Sequence, residues 1–298
     1  MVGTRLTDCD STRELIRSFH HSQYALERLL EEKRETVTVV LPAREVADTV
    51  GVIVERLQGL APLIDQVLVV DAASTDGTAE VAAASGAEVH QESALVVDFG
   101  PVLGKGDAMW RALSVTRGEL VVYLDSDTAD FSAHFASGLL GPLICEPDVR
   151  FVKGHYRRPF STPDGSEQAA GGGRVTELTA RPLLSAFFPD LAGFAQPLAG
   201  EVAARREFFE RLPFATGYAV EIAMLLDAHD VLGGTDAMAQ VDLDVRRNRH
   251  QSLEALAPMA REVLGAVLAR LSADGRLLDG EHAAPVERPA FATLGARA

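Results

Sequence analysis

Three β-branched runs, TVTVVLPA at 36–43, QVLVVDAAS at 66–74 and ELVVYLDSD at 119–127, are apolar almost without a break until each stops on polar residues. A half-buried strand alternates apolar and polar side chains, whereas a strand covered on both faces reads as one continuous apolar run. Segments of helical spacing lie between the runs: residues 46–60, TDGTAEVAAASG closing at Gly86, and KGDAMWRALSVTRG at 105–118. AEVHQ at 87–91 adds a short strand. Strands alternating with helices predict a parallel sheet covered on both faces, an α/β fold.

In open α/β sheets the ligand sits beyond the carboxyl ends of the strands. Pro42 to Glu45, Asp71 to Asp76 and Asp125 to Asp127 all fall there. Asp125-Ser126-Asp127 also sets two like charges one residue apart, which is costly unless they are solvated or a positive charge sits on them. A solvated turn would suit Asp and Ser by itself. Polar residues recurring at the end of each long strand point instead to a site.

A chain of 298 residues has room for one large α/β domain, or a domain and a half, and 47% hydrophobic with 24% charged residues is the ordinary globular mixture. The net charge of −15 argues against nucleic acid as a partner, because a phosphate backbone needs a basic face. No apolar stretch is long enough to span a bilayer, and MVGTRLTDCDSTREL lacks a signal-peptide core. Cys9 and Cys145 have no partner motif, so a cytoplasmic protein without membrane contact is expected. Against the acidic background three basic islands, KGHYRRPF (153–160), GGGR (171–174) and RRNRH (246–250), suggest an anionic small molecule.

Residues 11–33 have helical spacing and read as a peripheral N-terminal helix or arm. Beyond residue 130, HFASGLLGPLI, YAVEIAMLLDAHDVLG and the long amphipathic SLEALAPMAREVLGAVLARLS read as helices. RVTELTARPLLSAFF reads as a helix broken near Pro182, STPDGSEQAAGGG as a loop, and VRFVKGHYRR and MAQVDLDV as strands. The Pro/Gly/Ala-rich tail from 273 reads as partly extended or disordered.

Pro42 after the first strand, D-x-x-S-x-D-x-T at Asp71, Ser74, Asp76 and Thr78, GKG at 104–106 and D-S-D at 125–127 together resemble the nucleotide-sugar-binding half of GT-A glycosyltransferases. The resemblance gives each part a task. Asp71 and Asp76 would accept hydrogen bonds from base or ribose, and Lys105 at a helix N-terminus would favour an anion. Asp127 would bind a divalent cation, with Asp125 on the ribose or the cation's water shell. Mg2+ or Mn2+ suits carboxylate and phosphate oxygens and would offset charge on a leaving diphosphate. Two rival nucleotide folds fail: GPVLGKGD is not a Walker A loop, and no G-x-G-x-x-G follows the first strand.

The runs GPVLGKGDAMWRAL, FVKGHYRRPF, GGGRVTELTARPLL, QPLAGE, LPFATGYAVEI, AQVDLDVR and SLEALAPMAREV resemble the glucosyl-3-phosphoglycerate synthases of actinobacteria, retaining GT-A enzymes, over about residues 36–270. Within that span the resemblance implies a nucleotide-sugar-binding half (36–130) and an acceptor-binding half of the same domain (131–272), flanked by the N-terminal helical arm (1–35) and the C-terminal tail (273–298). It implies a donor site of Pro42, Ala43, Arg44, Glu45, Val46, Asp71, Ala72, Asp76, Lys105, Asp125 and Ser126. Tyr218, Ala219, Val220 and Glu221 border the sugar, and Arg246 and Arg249 lie in the segment closing over the diphosphate. Gly173, Arg174, Val175 and Thr176 would hold 3-phosphoglycerate, with His250 nearby. A glycine-rich turn entering a helix, followed by arginine, is physically apt for carboxylate and phosphate.

The family pattern Arg-x-His-Arg-Asn reads Arg-Arg-Asn-Arg-His here, so the second metal ligand is His250 after a local shift, or Asn248. Glu45 stands one position early for the family's carboxylate, and Ala72 replaces a serine. The expected reaction is metal-dependent transfer of glucose from UDP-glucose to 3-phosphoglycerate by front-face attack. Asp127, Lys105 and Glu221 are the catalytic candidates, and Glu221 is the one other carboxylate to test as nucleophile. The alternatives are a mannosyl-3-phosphoglycerate synthase using GDP-mannose and a nucleotide-sugar-binding protein without turnover. The resemblance also implies a homodimer.

Overall fold

The structure is a computed structural model that describes residues 16–161, 167–168, 173–246, 252–277 and 286–294. The chain opens with β1 (Arg17–His20), a 3-10 turn (His21–Gln23) and α1 (Leu26–Glu32). β2 (Val37–Ala43), α2 (Ala47–Gln58), β3 (Gln66–Asp71), α3 (Thr78–Ala84), β4 (Glu88–Gln91), α4 (Lys105–Ala112) and β5 (Leu120–Tyr123) then alternate as expected. α5 (His134–Cys145), β6 (Phe151–Arg157), the small pair β7 (Phe160–Ser161) and β8 (Glu167–Gln168), and a π-helical turn (Thr176–Ala180) leading into α6 (Arg181–Phe187) come next. β9 (Val202–Arg205), α7 (Arg206–Phe209), β10 (Phe214–Ala215), α8 (Val220–Leu232), β11 (Met238–Val245), α9 (Leu253–Ala273) and β12 (Glu287–Arg288) complete the order.

Eight strands form one sheet in the order β1-β11-β6-β9-β5-β2-β3-β4, parallel throughout except β9, which is antiparallel to both neighbours. The continuous apolar runs are explained by their two-sided burial. In β2, Val37, Val39 and Leu41 enter one core and Val40 the other; in β5, Leu120 and Val122 part from Val121 and Tyr123 in the same way. Each such side chain contributes about 1.5–3 kcal/mol by leaving water, so both helical layers are held to the sheet by the same strands.

Two expectations need correction, and one strand was not foreseen. Residues 11–33 were read as helical, but 17–20 form an edge strand paired with β11, and the helix is confined to 26–32; the open edge of β11 supplies backbone partners that outweigh local helical spacing. β9 was not anticipated. The helix expected to break at Pro182 is not broken there: the helical stretch that begins at Arg174 changes winding from π over Thr176–Ala180 to α over Arg181–Phe187, so the change of winding falls just before the residue that cannot donate. The tail is extended in part, as expected: over 286–294 β12 pairs with β10, Trp110 Nε1 donates to Pro289 O at 2.8 Å and Arg288 pairs with the buried Asp107 at 2.7 Å.

Candidate active site

β5 ends at Tyr123, so Leu124 to Asp127 leave the sheet at its carboxyl edge. Ser126 Oγ donates to Pro42 O at 2.6 Å, and Thr49 Oγ1 donates to Ser126 O at 2.7 Å, which ties this turn to the end of β2 and to α2. The two carboxylates are reconciled by one guanidinium. Arg246, 1% exposed, donates from Nη1 to Asp125 Oδ2 at 2.8 Å and from Nη2 to Asp127 Oδ1 at 2.8 Å. Its Nη1 also reaches Tyr156 Oη at 2.8 Å and Glu201 Oε1. Asp125 is largely enclosed, whereas the Asp127 side chain is 63% exposed.

Lys105 opens α4 and donates to Asp125 Oδ1 at 2.5 Å and to Glu221 Oε1, in the first turn of α8, at 2.8 Å. Burial alone would push this ammonium down, but Asp125 and Glu221 outweigh it and hold it well above its usual value. Burial likewise raises the Asp125 carboxyl, and Lys105 and Arg246 overcome that to leave it far below the usual carboxylate range. Because β9 runs antiparallel, its amino end arrives where the parallel strands finish. It delivers Ala199, Gly200 and Glu201 to the site: Ala199 O accepts from Lys153 Nζ at 2.7 Å, and Glu201 Oε2 accepts from Tyr156 Oη at 2.9 Å. Gly200 has no space for a side chain, since a Cβ there would lie 2.7 Å from Lys105 Nζ and 2.9 Å from Asp125 Cγ.

Asp71 ends β3 opposite Ala43 and is fully buried. Its Oδ2 accepts from Ser74 N at 3.1 Å and Gln91 Nε2 at 2.7 Å, while Oδ1 has no partner among the described residues. Glu45 and Asp76 are occupied by the chain itself. Glu45 Oε1 accepts from Thr75 N at 2.8 Å; Asp76 accepts from Ala47 N and Thr78 N, each at 3.0 Å. The Thr78 hydroxyl bond is the foremost cause of the lowered Asp76 pKa. Glu45 (φ 52°) and Ala73 (φ 53°) are both left-handed, so this mouth carries backbone strain. Arg44 is exposed and Val46 buried, Val46 N donating to Thr78 Oγ1 at 2.9 Å; Ala72 N donates to Ala43 O at 2.8 Å, and Pro42 lies within β2.

Gly173, at φ +78°, turns into a helical stretch that begins at Arg174, and Glu177 N donates to Gly173 O at 3.0 Å. Val175 and Thr176 are buried, and Val175 shares a core with Ala219 and Val220. Helix α9 touches both the π turn and the 217–219 turn. Tyr218 is half exposed, and its N–H donates to Glu262 Oε2 at 2.6 Å. Asn248, Arg249 and His250 lie outside the described residues.

Lys153, Tyr156, Gly200 and Glu201 belong to the site but were not among the sequence candidates. The runs FVKGHYRRPF and QPLAGE carried them, yet nothing local shows that these residues share one ion network. Lys153 is 1% exposed, and burial pushes its pKa down to about 8 against the pull of Glu221 and Glu201. Burial raises the Tyr156 phenol to about 12. The described network balances Asp125, Asp127, Glu201 and Glu221 against Lys105, Lys153, Arg158 and Arg246. Such a site has little net attraction for a diphosphate unless further positive charge arrives with it. A separate concavity, lined by Gln58, Asp65, Gln66, Glu88 and Arg117, includes none of these residues.

Residues 38–164 match the model of glycosyl transferase family 2. The glucosyl-3-phosphoglycerate synthase of Mycolicibacterium smegmatis is 46% identical over 236 residues, covering 79% of this chain and 77% of that protein. The mannosyl-3-phosphoglycerate synthase of Rubrobacter xylanophilus superposes with a TM-score of 0.87 at 48% identity, over 93% of this chain and 97% of that one. A glucosyl-3-phosphoglycerate synthase of Mycobacterium tuberculosis, solved with Mn2+, UDP-glucose and phosphoglyceric acid, superposes with a TM-score of 0.83 at 38% identity, over 94% and 99% of the two chains.

Proposed function

The chain belongs to the glucosyl-3-phosphoglycerate synthase family and is a glycosyltransferase, and on that premise we propose that it transfers glucose from UDP-glucose to 3-phosphoglycerate with retention. The carrying observation is the Arg246 fork, which holds Asp125 inward against Lys105 and leaves Asp127 exposed at the strand end. A hard divalent cation takes carboxylate and phosphate oxygens, so Asp127 fits Mg2+ or Mn2+, with His250 or Asn248 as second ligand. When bound, the cation would offset charge on the departing diphosphate, which the evenly balanced network does not do by itself. Relatives from Mycobacterium tuberculosis were solved with UDP and either Mn2+ or Mg2+, which supports the same choice.

The protein's own groups have separable tasks. Asp71 Oδ1, buried and unpartnered among the described residues, suits an N–H of the base. Lys105 has three donors, two of them spent on Asp125 and Glu221, and so fixes both carboxylates. Glu221 would hold sugar hydroxyls. Arg174 at its helix start would take the phosphate or carboxylate of 3-phosphoglycerate. Front-face attack then needs no protein nucleophile, the leaving diphosphate accepting the acceptor hydroxyl's proton.

The test is a donor panel of UDP-glucose, GDP-glucose and GDP-mannose with 3-phosphoglycerate and Mg2+ or Mn2+, with the product's anomeric configuration read by NMR. UDP-glucose should give the fastest turnover and an α-linked product. Preference for GDP-mannose would make the chain a mannosyl enzyme like its Rubrobacter relative; a β-linked product would end the retaining mechanism. Nucleotide binding without product under either metal would leave only a binding protein.

A further inference from the structure

Outside the donor site, among the described residues, one group of side chains able to ligate a metal lies at the sheet edge. His20 Nε2 is 3.4 Å from Asp244 Oδ1 and His21 Nε2 is 2.7 Å from Asp244 Oδ2, with all three ligand atoms within 4.8 Å of one another. Three features of the fold build this convergence. β1 pairs in parallel with β11, so both strands finish on the same side, His20 opposite Asp242. A register irregularity between Asp242 and Val245, with Asp244 left-handed at φ 68° and its N–H on Asp242 Oδ1 at 2.9 Å, interrupts the regular alternation of β11 at Asp244; bulges re-aim side chains in this way. Gly138 of α5 lets the backbone approach, because a Cβ there would stand 2.8 Å from His21 Cβ.

We propose that His20, His21 and Asp244 form a site for a transition-metal dication of the zinc class, distinct from the cation assigned to Asp127. Two imidazoles and a carboxylate match the three-ligand zinc pattern with an open fourth position, whereas Mg2+ prefers oxygens alone. His20 Nδ1 accepts from Ser22 N at 3.3 Å and lies 2.7 Å from Ser22 Oγ; a metal on Nε2 would put the proton on Nδ1, which would then donate to Ser22 Oγ, the outer partner that ligating histidines require. His21 stacks on His134 at 4.0 Å; burial pushes the His134 pKa below its ordinary value, and its Nε2 donates to Leu243 O at 3.1 Å. The ordinary competitor for Asp244 is Arg157, 3.6 Å away and 68% exposed, a loose partner that a metal displaces. Because Asp244 lies two residues before Arg246, a metal here pins the N-terminal strand to the strand end that carries the donor-site arginine.

The test uses full-length Asp127→Ala protein, which lacks the carboxylate assigned to the catalytic cation, titrated with Co2+ in excess Mg2+. A visible ligand-field band should saturate at about one equivalent, and Zn2+ but not Mg2+ should raise the melting temperature. In the same background His20→Ala or His21→Ala should abolish the band. Ser22→Ala, which keeps every ligand, should weaken Co2+ about tenfold. A band unchanged by His21→Ala and Ser22→Ala, or no saturable binding in Asp127→Ala, would overturn this site. If wild-type protein then took up Co2+ only together with UDP, the donor-site assignment would still stand.

Discussion

Gly200→Ala adds one methyl group where the site has no room. The new Cβ would stand 2.7 Å from Lys105 Nζ and 2.9 Å from Asp125 Cγ, and even closer to Asp125 Oδ1, so the ion pair must open by about 1 Å to restore van der Waals separation. At an effective dielectric of about 20, lengthening that pair from 2.5 Å to about 3.5 Å loses about 2 kcal/mol of attraction. If the loss falls wholly on the transition state, kcat/KM drops about 25-fold. Displacement of Lys105 and Glu221 by 1 Å from productive geometry would extend the loss toward about 100-fold. Steady-state kinetics with UDP-glucose and 3-phosphoglycerate, alongside urea unfolding to establish that the variant is folded, decides the matter. A folded Gly200→Ala enzyme within about twofold of wild type would refute the claim that the Lys105–Asp125 contact organises catalysis.

Lys153 has a folded pKa of about 8 against 10.5 ordinarily, so between these values the unfolded chain binds more protons and stability rises with pH, by about 3 kcal/mol in all. The advantage of wild type over Lys153→Met in urea unfolding should therefore grow from pH 7 to pH 10.5; a flat difference would contradict the burial of a titrating amine. Arg288→Ala leaves Asp107, 0% exposed, with Arg111 as its remaining cation among the described residues and should cost about 3 kcal/mol in the same assay. A change under about 0.5 kcal/mol would show that 286–294 does not brace α4. Arg174→Ala should raise the KM for 3-phosphoglycerate about 10- to 100-fold with the donor KM unchanged, and an equal rise in both would remove its acceptor role.

The nucleotide half was legible because its signal is local. Apolar runs buried on two faces, helices between them and polar residues at each strand end are all contiguous in sequence, and β2, β3, β4 and β5 appear where the runs stood. The ion network was not legible. Arg246 meets Asp125 across 121 positions and Lys105 meets Glu221 across 116, so no local pattern identifies those partners. Asp125-Ser126-Asp127 posed the question of what positive charge sits on two carboxylates; the structure answers with an arginine from the end of β11. β9 was missed because VAAR is short and weakly patterned, and its antiparallel course is set by the gap between β5 and β6. β1 was misread because edge pairing depends on a partner more than 200 residues away. Among the described residues no helix is long and apolar enough to cross a membrane.

Calorimetric titration of UDP into the protein, with Mn2+ and with chelator, compared between wild type and Asp127→Ala, reaches the centre of the account. Wild type should bind UDP far more tightly with Mn2+, and Asp127→Ala should bind it weakly and indifferently to the metal. Equal Mn2+-dependent affinity in both proteins would contradict the assignment of Asp127 to the cation.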